Sequence, residues 1–109
     1  MPQLIEQTIK DFLDYLKFQK RYSQHTVIAY QNDLNSFFNF IHQQFGDTFP
    51  GDIKTTFVRS WLAELKELGM ESKSINRKIS ALKSFFKYQL IRERIQVSPM
   101  VTLISPKVS

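Results

Sequence analysis

The chain has 109 residues and a formal net charge of +5, enough length for one packed domain but not for two side by side. Hydrophobic residues make up 42% of it, ten residues are Phe, and only three are Gly and four Pro. This composition excludes a disordered tail and a turn-rich β-sandwich, and it favours helices. The absence of Cys excludes disulfides, thiolate metal ligands and a Cys nucleophile.

No segment has the composition of an export signal or a membrane span. Acidic residues occupy the N-terminal stretch, where a signal peptide needs a positively charged region. No run approaches the roughly 18 consecutive apolar residues of a transmembrane helix. We predict a cytoplasmic protein that binds no membrane, cofactor, metal ion or small-molecule ligand.

Two helices are predicted in the first half of the chain from apolar residues that recur every three or four positions. The first covers about residues 3–20. The second begins after Ser23, a favourable N-cap, and ends at Gly46 in the position past the helix end where glycine is preferred. The predicted inward residues are Ile5, Ile9, Phe12, Leu13 and Leu16 in the first helix and Val27, Tyr30, Leu34, Phe37, Phe38, Ile41 and Phe45 in the second.

Two more helices are predicted after a loop at 46–54 that is rich in glycine and proline. The third covers about 55–68 and ends before Gly69, and the fourth covers about 72–93. Their predicted inward residues are Phe57 or Val58, Trp61, Leu62, Leu65, Leu68, Ile75, Ile79, Leu82, Phe86 and Leu90. The fold prediction is all-α: a compact four-helix domain at 1–93, followed by an extended exit segment at 94–109 whose apolar residues pack either on the bundle or on something outside this chain.

The positive charge is concentrated in the fourth predicted helix. On a helical wheel one face of it contains four cations, two hydroxyls and an amide, and no carboxylate. These residues are Lys73, Asn76, Arg77, Ser80, Lys83, Ser84 and Lys87. The first helix instead mixes both signs, as i, i+4 pairing favours on an exposed helix. A solvated surface is the simpler interpretation, but a face of like charges favours contact with a polyanion.

A second candidate anion site surrounds the start of the second helix. Its residues are Lys20, Arg21, Ser23, Gln24, His25 and Thr26. Backbone N–H groups and the positive end of the helix dipole favour phosphate there. The alternative is that Ser23 simply caps the helix beside incidental polar neighbours. Four amides continue along the same helix: Gln31, Asn32, Asn35 and Asn39.

No catalytic constellation is recognisable in the sequence. The two histidines, His25 and His42, are too far apart on one helix to share a metal ion. The three glycines are isolated from one another, which excludes a glycine-rich phosphate loop. We therefore expect this chain to be non-catalytic.

Three segments, in order and at matching separations, resemble the N-terminal core-binding, SAM-like domain of tyrosine recombinases of the phage-integrase and Xer type. The second helix has Ser23-x-x-Thr26-x-x-x-Tyr30-x-x-x-Leu34-x-x-Phe37, and the fourth has the run from Ser74 to Phe86. The ending has Ser98-Pro99 and then Pro106-Lys107, which resembles the stretch leading into the family's catalytic domain and implies that 94–109 is a linker to such a domain. Ser98 stands where Asn is commoner in the family, and the family's His-x-x-Arg pair is absent.

The resemblance implies a DNA-binding role in integration or recombination. In this family the N-terminal domain and the catalytic domain form a clamp around duplex DNA, and the second and fourth helices cross the major groove. It also implies other protomers as partners, in a synaptic tetramer of the full-length enzyme. The alternative left open by the residues is a helical protein–protein or protomer-assembly module whose basic face meets an acidic partner.

Overall fold

The computed structural model describes residues 5–101, which form four α-helices and no strand. These are α1 (Ile5–Asp14), α2 (Gln24–Phe45), α3 (Thr55–Glu67) and α4 (Ser72–Ile91), with a π-helical turn at Tyr15–Gln19 and a 3₁₀ turn at Pro50–Asp52. The all-α prediction is confirmed over these residues. The predicted start of the first helix and the end of the exit segment, 102–109, lie outside them.

The chain divides into two compact units between Phe49 and Pro50. In the N-terminal unit α1 packs against α2. The predicted N-cap of α2 is confirmed, because the Thr26 backbone N–H donates to Ser23 Oγ at 3.2 Å. Gly46 ends α2 with φ of +79°, as its position predicted. The buried apolar residues of this unit are Ile9, Phe12, Leu16, Leu34, Phe37, Phe38, Phe40 and Ile41.

Two details of the N-terminal unit differ from the prediction. The first helix does not continue as α-helix to residue 20: its last turn widens, and the Lys20 N–H donates to the Tyr15 carbonyl at 3.1 Å. Phe45 was predicted to face inward but is 39% exposed. It lies in the last turn of α2, where every residue from 42 to 46 is exposed, so periodicity there no longer reports burial.

In the C-terminal unit α3 packs against α4. Val58, Trp61 and Leu65 are buried as predicted, but Leu68 is 77% exposed and the prediction for it was wrong. The reason is the sharp chain reversal that follows α3. The Met70 N–H donates to the Leu65 carbonyl, and Gly69 adopts φ of +90°, so Leu68 lies at the helix end and turns away from the core.

The buried face of α4 is wider than its predicted apolar stripe. Ile75, Ile79, Leu82 and Phe86 are buried as predicted. The face extends sideways over four more residues: Lys78, Ala81, Phe85 and Gln89. Three of those four are small or polar, so an apolar periodicity could not mark them. The helix ends at Ile91, two residues before the predicted end.

The segment after α4 is made of turns and bends up to Val101. Ile95 and Met100 are buried, whereas Val97 and Val101 are exposed. The Thr55 hydroxyl donates to the Pro99 carbonyl at 2.7 Å, which ties this segment to the start of α3. The predicted boundary between residues 93 and 94 stays a prediction, but the described start of the exit segment packs within the C-terminal unit.

Candidate nucleic-acid interface

One face of α4 presents cations to solvent along four turns of helix. Its five exposed residues recur at steps of three or four, so they form one line. That line is about 21 Å long at 1.5 Å per residue. It consists of Lys73, Arg77, Ser80, Lys83 and Lys87, and we call it the α4 stripe. All five were predicted as site residues.

No carboxylate lies within α4 to neutralise this stripe. Among residues 5–101, the side chains of Lys73, Lys83 and Lys87 form no ion pair or hydrogen bond. In α1, by contrast, Lys10 Nζ lies 3.0 Å from Asp14 Oδ2. That hydrogen bond and the charge of Asp14 raise the pKa of Lys10. These three lysines of α4 therefore keep their full attraction for an anion outside the helix.

The other polar and charged residues of this region differ in how far they are exposed. Asn76 and Ser84 are half-buried and border the stripe. Lys78 is only 9% exposed, and its Nζ lies 6.0 Å from the centre of the Trp61 ring. It therefore belongs to the buried face, although it is close in sequence to the stripe. Arg94 is half-buried beside Tyr88, with the guanidinium carbon 6.0 Å from the ring centre.

The second predicted set is also at the surface. All six residues, from Lys20 and Arg21 through Ser23, Gln24, His25 and Thr26, are exposed around the start of α2. Two of them contact each other, because the hydroxyls of Ser23 and Thr26 lie 3.0 Å apart. The capping role is thus real, and it leaves the side chains of Lys20, Gln24 and His25 directed at solvent.

The exposed face of α2 has no Lys, Arg, Asp or Glu side chain. The helix has 22 residues and no Lys or Arg, and its one acidic residue, Asp33, is buried. Amides recur along the exposed face: Gln24, Gln31, Asn32, Asn35, Asn39, Gln43 and Gln44. Asn and Gln side chains can pair with base edges, adenine above all, but they do not attract phosphate over distance.

Sequence reasoning missed two features just before α2. Arg21 has φ of +55°, a left-handed backbone conformation that residues other than glycine rarely adopt. Phe18 is 65% exposed at the end of the π-helical turn. The sequence shows the setting of Phe18, between Lys17 and Lys20 in a stretch without acidic residues, but it does not show that the ring is exposed.

A cleft of about 620 Å³ in the N-terminal unit lies beside α1 and the second half of α2, and it includes none of the predicted site residues. Between residues 5 and 101, no three His, Asp or Glu side chains are grouped to hold a metal ion. No helix in that range is long and apolar enough to span a bilayer.

Comparison with known protein families identifies the fold. The sequence model of the phage integrase N-terminal SAM-like domain matches residues 9–94, which include most of α1 and all of α2, α3 and α4. The chain belongs to this family. The resemblance inferred from the three sequence segments is therefore confirmed.

Full-length relatives of this SAM-like domain are tyrosine recombinases. The chain is 38% identical to tyrosine recombinase XerC of Leptospira interrogans over 107 residues, covering 95% of this chain and 33% of the relative. It is 34% identical to XerC of Bacillus licheniformis (88% of this chain, 31% of the relative) and 33% identical to XerD of Chlorobaculum tepidum (94% and 33%). The chain thus spans about a third of the length of these relatives. No solved structure matches it.

Proposed function

We propose that this chain is the DNA-binding domain of a site-specific tyrosine recombinase, and that the α4 stripe holds duplex DNA in the major groove. The observation that carries the proposal is the stripe itself: exposed cations and a hydroxyl in one line, on a helix without a carboxylate. Lys and Arg supply phosphate contacts, which dominate affinity for DNA and carry little sequence information.

Base contacts fall to a smaller group in this proposal. Arg77 can pair with guanine, and Gln24 and His25 at the start of α2 present further donors and acceptors. Asn76, the other predicted base contact, has a buried Oδ1 and so does not offer both groups that pairing with adenine needs. Strand breakage and rejoining belong to the remaining two thirds of a parent protein like the XerC and XerD relatives. The parent acts in the bacterial cytoplasm, and its other protomers are further partners.

A salt titration with duplex DNA tests the proposal. Changing Lys73, Arg77, Lys83 and Lys87 to Ala together removes four cations from the stripe. For the unchanged chain, log K should fall with log salt concentration at about 0.9 per phosphate contact, and the variant should lose about that much slope for each contact removed. Fluorescence anisotropy with a labelled duplex measures both quantities, and circular dichroism checks that the helices remain.

A control variant matches the same loss of three Lys and one Arg. Lys10, Lys54, Arg59 and Lys66 are exposed and lie outside α4, so their change to Ala alters net charge equally. We expect the control to keep more affinity and a steeper salt slope than the stripe variant. Equal binding by the two variants would contradict the proposal. Binding of an acidic polypeptide in preference to DNA would support a protein-interaction module instead.

A further inference from the structure

The turn that joins α1 to α2 combines cations with an exposed aromatic ring. The stretch from Tyr15 to Asn32 contains three cations and no acidic residue. The cations cluster at its start, and we call residues 17–22 the 17–22 tip: Lys17, Phe18, Gln19, Lys20, Arg21 and Tyr22. All six side chains are exposed. The tip is therefore a positively charged surface with an apolar centre.

The two aromatic residues of the tip are held differently. Tyr22 stacks on Tyr30 with ring centres 6.1 Å apart, and Tyr30 in turn meets the edge of the buried Phe12. Ring packing within the N-terminal unit thus explains the position of Tyr22. Phe18 is 65% exposed, more than Tyr22 at 38%, and Lys17 Nζ lies 5.3 Å from its ring centre. The chain places a large apolar ring in water beside a cation.

Arg21 occupies a backbone conformation that glycine would adopt at lower cost. Its φ of +55° follows from the wide last turn of the preceding helix, in which the Tyr22 N–H reaches back to the Leu16 carbonyl at 3.0 Å. A side chain other than Gly, Asn or Asp in this region is strained. Glu93, just past the end of α4, adopts the same conformation with φ of +58°, so this geometry marks a helix end, and here it leaves the Arg21 side chain at the surface.

We propose that the 17–22 tip is a second DNA contact, with Phe18 against the apolar surface of a nucleotide and Arg21 on an adjacent phosphate. The inference rests on the proposed function. Nucleic acid fits because it offers anionic groups beside apolar base faces, sugars and thymine methyls, which together match cations around an exposed ring.

Two single variants test the tip. Phe18→Ala should weaken DNA binding about fivefold or more, the lower end for an aromatic–base contact, and leave the salt slope unchanged. Arg21→Gly should lower affinity and reduce the slope by about 0.9, while the midpoint of thermal unfolding stays level or rises. A purely structural role would not move stability and affinity in opposite directions. Duplex and single strand of one sequence, tested in parallel, distinguish groove contact from base stacking.

Leu68→Ala is the matched control, because Leu68 is 77% exposed and lies outside both the tip and the α4 stripe. It should leave DNA binding unchanged. Wild-type affinity in both tip variants would overturn the inference, and so would a lower unfolding midpoint of Arg21→Gly with unchanged binding. If the α4 stripe variant still loses DNA binding, the proposed function survives that failure. Tip-dependent binding to anionic vesicles, with none to DNA, would overturn both.

Discussion

The two longest helices, α2 and α4, have similar interiors and opposite surfaces. Each buries at least two Phe side chains: Phe37 and Phe38 in α2, Phe85 and Phe86 in α4. The exposed face of α2 carries amides and no Lys or Arg, whereas that of α4 carries four cations and no carboxylate. The shared pattern serves packing, and the contrast therefore identifies surface chemistry that folding does not require.

That contrast suggests a division of labour on DNA. Cations attract the phosphate backbone over several ångströms and dominate affinity, while amides act only at hydrogen-bond distance on base edges. Substitutions on the buried faces test the packing that α2 and α4 share, and substitutions on the exposed faces test their different surface chemistry. The buried substitutions should have the larger effect, because they lower the stability of the fold itself.

Removing one buried ring from either helix should have the largest effect. Phe37→Ala and Phe85→Ala each delete a side chain that is fully buried. Each should lower the free energy of unfolding by about 3–5 kcal/mol, because the transfer energy of the ring and the cost of the cavity add. Urea denaturation followed by circular dichroism measures it. A loss below about 1 kcal/mol in one helix would show that its buried face is not equivalent to the other.

Exchanging the surface chemistries should have an intermediate effect, seen in binding and not in stability. Lys83→Gln with Lys87→Gln gives α4 an amide surface, and the salt slope should fall by about 0.9 for each of the two contacts. Gln31→Lys with Asn35→Lys makes the reverse change at the same i, i+4 spacing on α2. Because the proposed function has α2 facing DNA, this variant should raise the affinity for duplex DNA. An unchanged salt slope in the α4 double variant would contradict the claim that Lys83 and Lys87 contact phosphates.

The helix starts should give the smallest effect. Ser23 caps α2 through its hydroxyl, whereas the N-cap of α4, Glu71, makes no side-chain capping bond. Ser23→Ala should cost about 1 kcal/mol of unfolding free energy, and Ser23→Asn very little. Glu71→Asp should add about 0.5 kcal/mol, because its shorter side chain can accept from the first turn. Equal losses for Ala and Asn at position 23 would show that capping is not the role of Ser23.

The sequence predicted the helices well wherever a local signal marked them. Ser23 acts through its own hydroxyl, and the glycines at 46 and 69 act through their own backbone geometry, so their positions predicted the boundaries of α2 and α3. The exposed line of α4 was also predictable, because charged side chains at helical spacing cannot be buried without partners. The site residues themselves stay predictions, since burial shows access and not contact with DNA.

Other features could not be predicted because they depend on neighbours distant in sequence or on backbone detail. Gln89 and Lys78 are polar, yet neighbouring packing buries both. Leu68 is apolar and at helical spacing, yet a chain reversal exposes it. The hydrogen bond from Thr55 to Pro99 joins residues 44 positions apart, a separation that no periodicity reports.

By itself, the sequence determined an all-α chain, the starts of its long helices and an acid-free line of cations on the fourth, because propensity, capping and charge act within a few residues. Only the tertiary structure decided how wide the buried face of α4 is, and that Phe18 and Arg21 stand out at the turn before α2. Those features depend on which surfaces the folded chain covers and on how one helical turn widens, and neither is written in a local pattern.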